Sequence, residues 1–465
     1  MAQSAKRTIT VAALLLVMLA ASLDQMIVAT ALPRITHDLG GSAMLPWVVT
    51  AYLLTATVAA PVYGKLGDLM GRKRVLLTAL ALFIAGSALC GASVSIRSLV
   101  VFRALQGLGG GGLIVVSLAM AGDIAVMRDR ARILGLFGGA AAVSTVAGPF
   151  LGGVITEFLS WRWIFYVSVP IGALAAAAIA WSIPGTYSKR SWRIDYAGGL
   201  LLSASLGAFV VASLAGRDVP GLPSPVLLLG LGVAAAIAFV LVEMRVPEPI
   251  VPLHLFRNRA YAAAIGVSFL AGIPIFAAMT FAPVYWQSVQ GLDPARAGLA
   301  VLPLVGGMLA ASIASGQLSA HINRYRVFPI TGSGLALVGM LMLGGAGLGT
   351  PAIYVACALA ILGIGLGMTV QILVLLGQGS AGQHDLGAAT ASVTMFRAIG
   401  GLVGLMLLGR IYASALSVSG PADAVESVFA ITAVAVLAQS MAAWTLVDPP
   451  DTDRENQRRK ENANA

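Results

Sequence analysis

Three ionisable residues, Asp24, Arg103 and Arg397, stand well inside long apolar runs, where they could do chemistry. Asp24 occurs in Leu23-Asp24-Gln25-Met26-Ile27-Val28-Ala29-Thr30-Ala31-Leu32-Pro33, with no cation in the same run. An Asp at the centre of a membrane helix costs about 2.5–3.5 kcal/mol, so it should face protein or a water-filled cavity. Low-dielectric surroundings disfavour its charged form, which is the property a proton carrier needs. An Asp hydrogen-bonded between helices for structure alone is the alternative. Arg103 occurs in Leu99-Val100-Val101-Phe102-Arg103-Ala104-Leu105-Gln106-Gly107, six residues in from Arg97. That is about 9 Å below the outer surface, and Asp24 lies about 13 Å below Pro33 by the same arithmetic. The two share the outer half of the bilayer and could face one cavity. An Arg that merely snorkels outward is the alternative.

Further polar and small residues fall in patterns. Residues 64–74, Gly64-Lys65-Leu66-Gly67-Asp68-Leu69-Met70-Gly71-Arg72-Lys73-Arg74, read as a short glycine-rich loop with four cations and one carboxylate between two apolar runs. A loop that tight makes its flanking helices antiparallel neighbours and leaves Asp68 close to Arg72. Gly148 and Gly152 form a small-xxx-small face that lets two backbones approach, and Pro149 should bend its helix. Arg397 lies near the middle of its run and suits a substrate anion, an interhelical tie or a structural cation alike. Gln25, Gln106, Trp286 and Gln371 could line a substrate cavity with it, although packing or interface anchoring suits any one of them as well.

Other patterns carry no chemistry. Gly107-Leu108-Gly109-Gly110-Gly111-Gly112 contains a formal G-x-G-x-x-G, but no strand precedes it and it lies inside an apolar run. His37, His254, His321 and His384 are scattered without metal-ligand spacing, and Cys90 and Cys357 sit inside apolar runs as packing residues. With no catalytic triad, metal pattern or nucleotide loop, neither an enzyme nor a cofactor is expected.

The elements that must position these residues are membrane helices. The 465 residues are 58% hydrophobic and only 10% charged, with mean hydropathy +0.90, against about 25% charged in soluble proteins. Runs of about 20 apolar residues number fourteen: 8–32, 46–65, 75–95, 98–121, 133–157, 162–182, 196–215, 224–243, 260–285, 297–319, 327–347, 351–376, 387–411 and 426–447. The first is too long for the apolar part of a signal peptide. Cations cluster in alternate connections, with Arg72, Lys73 and Arg74, then Arg128, Arg130 and Arg132, then Lys189, Arg190 and Arg193 on one side. The opposite connections hold single arginines such as Arg34, Arg97 and Arg162. This bias places both termini in the cytoplasm. It also makes anionic lipid, not nucleic acid, the partner of the +10 net charge.

Gly316-Gln317-Leu318-Ser319-Ala320-His321-Ile322-Asn323-Arg324 stands where a second copy of the 64–74 stretch would fall, with Gly, Leu and Arg at the same offsets. The repeat implies two six-helix halves with a two-helix hairpin between them. The expected divisions are 1–188, 189–250 and 251–448, with a polar cytoplasmic tail at 449–465.

Together these features resemble the major facilitator superfamily, and within it the fourteen-helix drug:proton antiporters of bacterial multidrug exporters. Residues 64–74 resemble the superfamily's cytoplasmic signature. The Asp24 segment resembles the family's first-helix motif, with Met26 where Thr is common. Arg103-x-x-Gln106-Gly107-x-Gly109 resembles its helix-4 motif, and Gly135-x8-Ser144-x3-Gly148-Pro149-x2-Gly152-Gly153 its helix-5 antiporter motif, with Ser144 for one Gly. Trp161-Arg162-Trp163-Ile164-Phe165-Tyr166-Val167-Ser168-Val169-Pro170 resembles a further signature, with Ser168 for Asn.

The resemblance implies an all-α major facilitator fold and a proton-coupled exporter in the bacterial cytoplasmic membrane, expected to be monomeric. Asp24 would take the proton, with Arg103 tuning it. Gly64, Asp68, Gly71 and Arg72 would form a cytoplasmic latch, while Gly148, Pro149 and Gly152 would form a close-packed hinge. The later runs lack the mid-span carboxylates of relatives that take dications, which favours monocationic or neutral lipophilic substrates. A dedicated exporter of one lipid, antibiotic or metabolite is the near alternative, and a non-transporting membrane sensor the remote one.

Overall fold

The computed structural model describes residues 2–40, 44–124, 127–183, 195–215, 224–246, 249–251, 253–322, 324–382 and 385–448. Long apolar sequence with glycine and few charges leaves the helix as the one way to satisfy its own backbone, and the described residues are helical nearly throughout. The elements are α1 (Ala2–Leu39), α2 (Leu45–Met70), α3 (Arg72–Gly91), α4 (Ile96–Ile124), α5 (Met127–Phe158), α6 (Trp163–Tyr166), α7 (Ser168–Ser182), α8 (Tyr196–Ala215) and α9 (Pro225–Glu243). They continue with α10 (Arg259–Ser288), α11 (Pro294–Leu299), α12 (Leu302–Ile322), α13 (Val327–Gly344), α14 (Ala352–Gly379), α15 (Leu386–Ser419) and α16 (Pro421–Ala443).

Twelve described helices are long and apolar enough to cross a membrane, or thirteen if the bent pair in α5 is one span. That pair, Asp129–Thr145 and Phe150–Phe158, meets at 42° across the segment holding Gly148 and Pro149. The expected run 196–215 contains the shorter apolar helix Ala197–Phe209. The expected connector cations Lys189, Arg190 and Arg193, His384, and the tail 449–465 lie outside the described residues.

Helices α1–α7 pack mainly with one another, and α10–α16 do likewise; α8 and α9 pair with each other, and α8 also touches α2 and α15. The two groups meet chiefly where α5 crosses α12 and α2 crosses α15. Both crossings are made at glycine pairs. A β-carbon on Gly135 would sit 2.7 Å from Ser312 O, and one on Gly316 2.6 Å from Ala131 O. Likewise, a β-carbon on Gly64 would sit 2.7 Å from Gly387 O. Gly64 and Gly316, the matching positions of the internal repeat, therefore have the same packing task.

The 64–74 stretch is not a loop, contrary to the sequence reading. Helix α2 runs through Met70 and α3 begins at Arg72, so Gly71 alone makes the turn, at φ +91°. Only glycine adopts that backbone cheaply. One such residue suffices, and the flanking polar residues stay helical.

Candidate functional site

Glycine also lets one half of the first group close around charge. On α4, a β-carbon at Gly107 or Gly111 would overlap Tyr52 O or Ala56 O of α2, and one at Gly109 would sit 2.8 Å from Phe83 Cα of α3. The two neighbours press onto α4 from both sides, and its polar residues, up to one turn before Gly107, have no route to solvent.

Asp24 of α1 and Arg103 of α4 meet there. Arg103 Nη1 lies 2.7 Å from Asp24 Oδ2, and Gln106 Nε2 donates to Asp24 Oδ1 at 2.8 Å. Arg103 Nη1 also donates to Gln106 Oε1 at 2.8 Å, and its Nε donates to Val48 O of α2 at 3.1 Å. The guanidinium lies 4.3 Å from the Tyr52 ring centroid, and Gln25 lies against the Tyr52 hydroxyl. Gln106 Nε2 further donates to Ser87 Oγ of α3, which donates to Phe165 O of α6 at 2.8 Å. Asp24, Arg103 and Gln106 are 0%, 1% and 0% exposed. Gln106, expected among the cavity-lining residues, is therefore part of a sealed cluster, with both ends of its amide engaged.

Gly148 and Gly152 of α5 lie against the helix that carries Asp24. A β-carbon on Gly148 would overlap Met26, and one on Gly152 would sit 2.5 Å from Ile27 O. Ser144 Oγ donates to Ala140 O at 2.9 Å, and Pro149 lies within α5. The Trp161–Arg162 signature closes the near end of this group. Trp161 Nε1 donates to Asp38 Oδ2 at 3.0 Å, and Arg162 Nη1 donates to Gly91 O and Ser93 O at 2.9 and 2.6 Å. Hydrogen bonds from His37 and Trp161 hold the Asp38 carboxyl below the usual carboxylate range.

At the opposite end Asp68 bridges the two groups. Arg72 Nη2 lies 2.6 Å from Asp68 Oδ1, and Arg72 Nη1 also pairs with Asp123 of α4. Gly387 N donates to Asp68 Oδ1 at 3.0 Å and Ala388 N to Oδ2 at 2.9 Å. These are orphan amides of the first turn of α15, whose own Asp385 makes no side-chain cap. Asp68 is therefore a helix cap supplied from another helix, placed where the dipole favours a carboxylate. Beside it, Gln378 Nε2 donates to Leu118 O of α4 and to Thr390 Oγ1, both at 2.9 Å.

Sequence reasoning missed Asp123, Gln378 and the Gly387 and Ala388 amides. Asp123 stood at the end of an apolar run where a carboxylate looks merely interfacial. Backbone donors carry no sequence signal at all. The remaining expected residues do not gather at the Asp24 cluster. Trp286 is 4% exposed in the core of the second group, edge-on to Tyr285 at 5.6 Å. Gln371 and Arg397 lie on α14 and α15. Among the described residues, no three His, Cys, Asp or Glu side chains could hold a metal ion.

A family model described as Major Facilitator Superfamily matches residues 14–405. An uncharacterized MFS-type transporter of Mycobacterium tuberculosis is 37% identical over 447 residues, covering 94% of this chain, which spans 65% of that relative's length. The multidrug transporter protein MdtP of Bacillus subtilis is 35% identical over 413 residues, 88% of this chain and 76% of that one. The solved proton:xylose symporter XylE, bound to 6-bromo-6-deoxy-D-glucose, aligns at TM-score 0.70 with 12% identity. That alignment covers 95% of this chain and 96% of the other.

Proposed function

Because the chain belongs to the major facilitator superfamily, a family of multi-pass membrane transporters, we propose that it is a proton-coupled exporter of lipophilic, drug-like compounds. It would work by alternating access, as a fourteen-helix chain in the bacterial cytoplasmic membrane with both termini inside. Residues 1–188 and 251–448 would be the moving halves, 189–250 an inserted hairpin and 449–465 a cytoplasmic tail. The multidrug relatives support export, and the neutral or monocationic expectation from the sequence supplies the first substrates to try.

One observation carries the coupling: the sealed pair of Asp24 and Arg103. Protonating Asp24 would leave Arg103 as an uncompensated buried cation, and breaking a buried pair costs about 3–5 kcal/mol. Proton uptake is therefore favoured only if α1 and α4 rearrange so that Arg103 finds water or a new partner. A ligand shifts a conformational equilibrium only through such a difference between states. Asp68, capping α15 from α2, would hold the cytoplasmic end shut in the state seen here.

The test is ethidium efflux from energised cells carrying the wild type or Asp24→Asn, with and without a protonophore. Wild-type efflux abolished by the protonophore, and lost in Asp24→Asn, is the expected result. Proton-coupled efflux at the normal rate in Asp24→Asn would remove Asp24 from the mechanism. No efflux by either would turn the reading toward one dedicated cargo.

A further inference from the structure

Arg397 is half-buried and makes no hydrogen bond or ion pair among the described residues, and its Nη1 is buried without a partner. A buried guanidinium nitrogen without a partner calls for an explanation. Arg103 and Arg72 both have carboxylates; no described carboxylate answers Arg397.

Its surroundings form a fixed frame. Helix α10 packs against the α15 backbone at this level, where a β-carbon on Gly272 would sit 2.6 Å from Gly401 N and 3.0 Å from Arg397 C. The helix cannot turn Arg397 away without opening that contact.

The helical repeat supplies a facing residue. Seven residues are nearly two full turns, about 10 Å, and return to almost the same face. Arg397 follows Thr390 by seven residues, and Gln371 precedes Gln378 by seven. Gln378 and Thr390 touch at 2.9 Å, where α14 and α15 run antiparallel. Two turns outward, Gln371 and Arg397 therefore lie at one depth on facing stripes. Gln371 Oε1 is also buried without a partner. Gln371 reaches the first group of helices as well, since a β-carbon on Gly138 of α5 would sit 2.7 Å from its Cγ. A donor and an acceptor, both unmet, thus share one level near the junction of the two groups.

We propose that Arg397 and Gln371 are the polar part of a substrate site for lipophilic molecules bearing one carboxylate or similar monoanionic group. Arg397 donates to the anion, and Gln371 Oε1 accepts from a hydroxyl or N–H on the same molecule. The inference rests on the transporter reading and revises its substrate charge from neutral or cationic to anionic. Asp24 offers a cationic substrate no competing charge, because Arg103 neutralises it.

The experiment measures equilibrium binding of three tritiated probes to the full-length protein in lipid nanodiscs: 1-naphthaleneacetate, 1-naphthaleneacetamide and 1-naphthylmethylammonium. They share one aryl body and differ in head-group charge. Wild type should bind the carboxylate about tenfold more tightly than the other two, the scale of one charge-assisted hydrogen bond. Arg397→Gln should erase that preference while keeping carboxamide binding, which also reports that the variant is folded. Arg397→Lys should retain part of it, which covers the case in which Arg397→Gln does not fold. Ammonium binding equal to or tighter than carboxylate, no carboxylate binding by wild type, or an unchanged order in either variant would overturn the proposal. Binding and efflux separate the two readings. Asp24-dependent ethidium efflux without a carboxylate preference leaves export standing and removes this site. Arg397-dependent carboxylate binding without efflux does the reverse.

Discussion

Asp24 and Arg103 show how far a single pair can organise its surroundings. Each oxygen of the Asp24 carboxylate has a donor, and the guanidinium is shared among Asp24, Gln106 and the Val48 carbonyl. Removing one member strands the other in a buried site, whereas replacing both with amides removes the net charges together. Arg103→Gln should therefore destabilise the protein by about 3–5 kcal/mol. The double variant Asp24→Asn with Arg103→Gln should recover much of that loss. Thermal unfolding of the single and double variants in one detergent makes the comparison, and additive losses would mean that the pair is not coupled. Both charges were legible in the sequence because an ionisable residue in an apolar run is rare. That Gln106 completes the cluster was not, since an amide in a membrane helix suits a cavity wall as well as a sealed network.

At the scale of elements, the glycines of α4 do work that a motif search misreads. Gly107, Gly109 and Gly111 are contact points with α2 and α3, not a phosphate cradle. Gly111→Ala should force α2 away from α4 and cost about 1–3 kcal/mol, the range for overpacking. Gly230→Ala and Gly266→Ala, with open space beside them, should change thermal stability little and serve as matched controls. Equal effects at all three positions would show that helix propensity, not packing, decides. Apolar length and charge bias made the helices legible, while their partners were not. Small residues permit close approach on any face, and only the assembled bundle shows that Gly64 meets Gly387 and Gly135 meets Gly316. The 64–74 stretch was misread for a related reason. Its polar residues looked like a loop, yet one positive-φ glycine made the turn and left Asp68 near the end of α2 paired with Arg72 at the start of α3.

Over the whole molecule, among the described residues, the halves are joined at one end by the α5–α12 and α2–α15 crossings, the capping carboxylate of Asp68 and the bond from Gln378 to Leu118 O. The α5–α12 crossing packs small residues, with Ser312 Oγ donating to Gly135 O at 3.3 Å, and Ser312 is only 3% exposed. The α2–α15 crossing carries the charge-assisted bonds of Asp68. If the halves rock as proposed, opening this end must uncover Ser312 and strand the first amides of α15. Asp68→Asn weakens the bonds to Gly387 and Ala388 and removes the pair with Arg72 without changing shape. A charge-assisted hydrogen bond contributes about 1.5–3 kcal/mol, and each 1.4 kcal/mol is about tenfold in population. A cysteine at Ser312→Cys, with Cys90 and Cys357 replaced by Ala, should be alkylated slowly from the cytoplasmic side in the parent. It should react on the order of tenfold faster once Asp68→Asn is added. The enhancement should appear at Ser312 although that residue touches neither Asp68 nor α15, because the two crossings open as one rigid-body movement. Enhancement confined to cysteines on α15 would instead mean that losing the cap frays one helix end and leaves the halves in place.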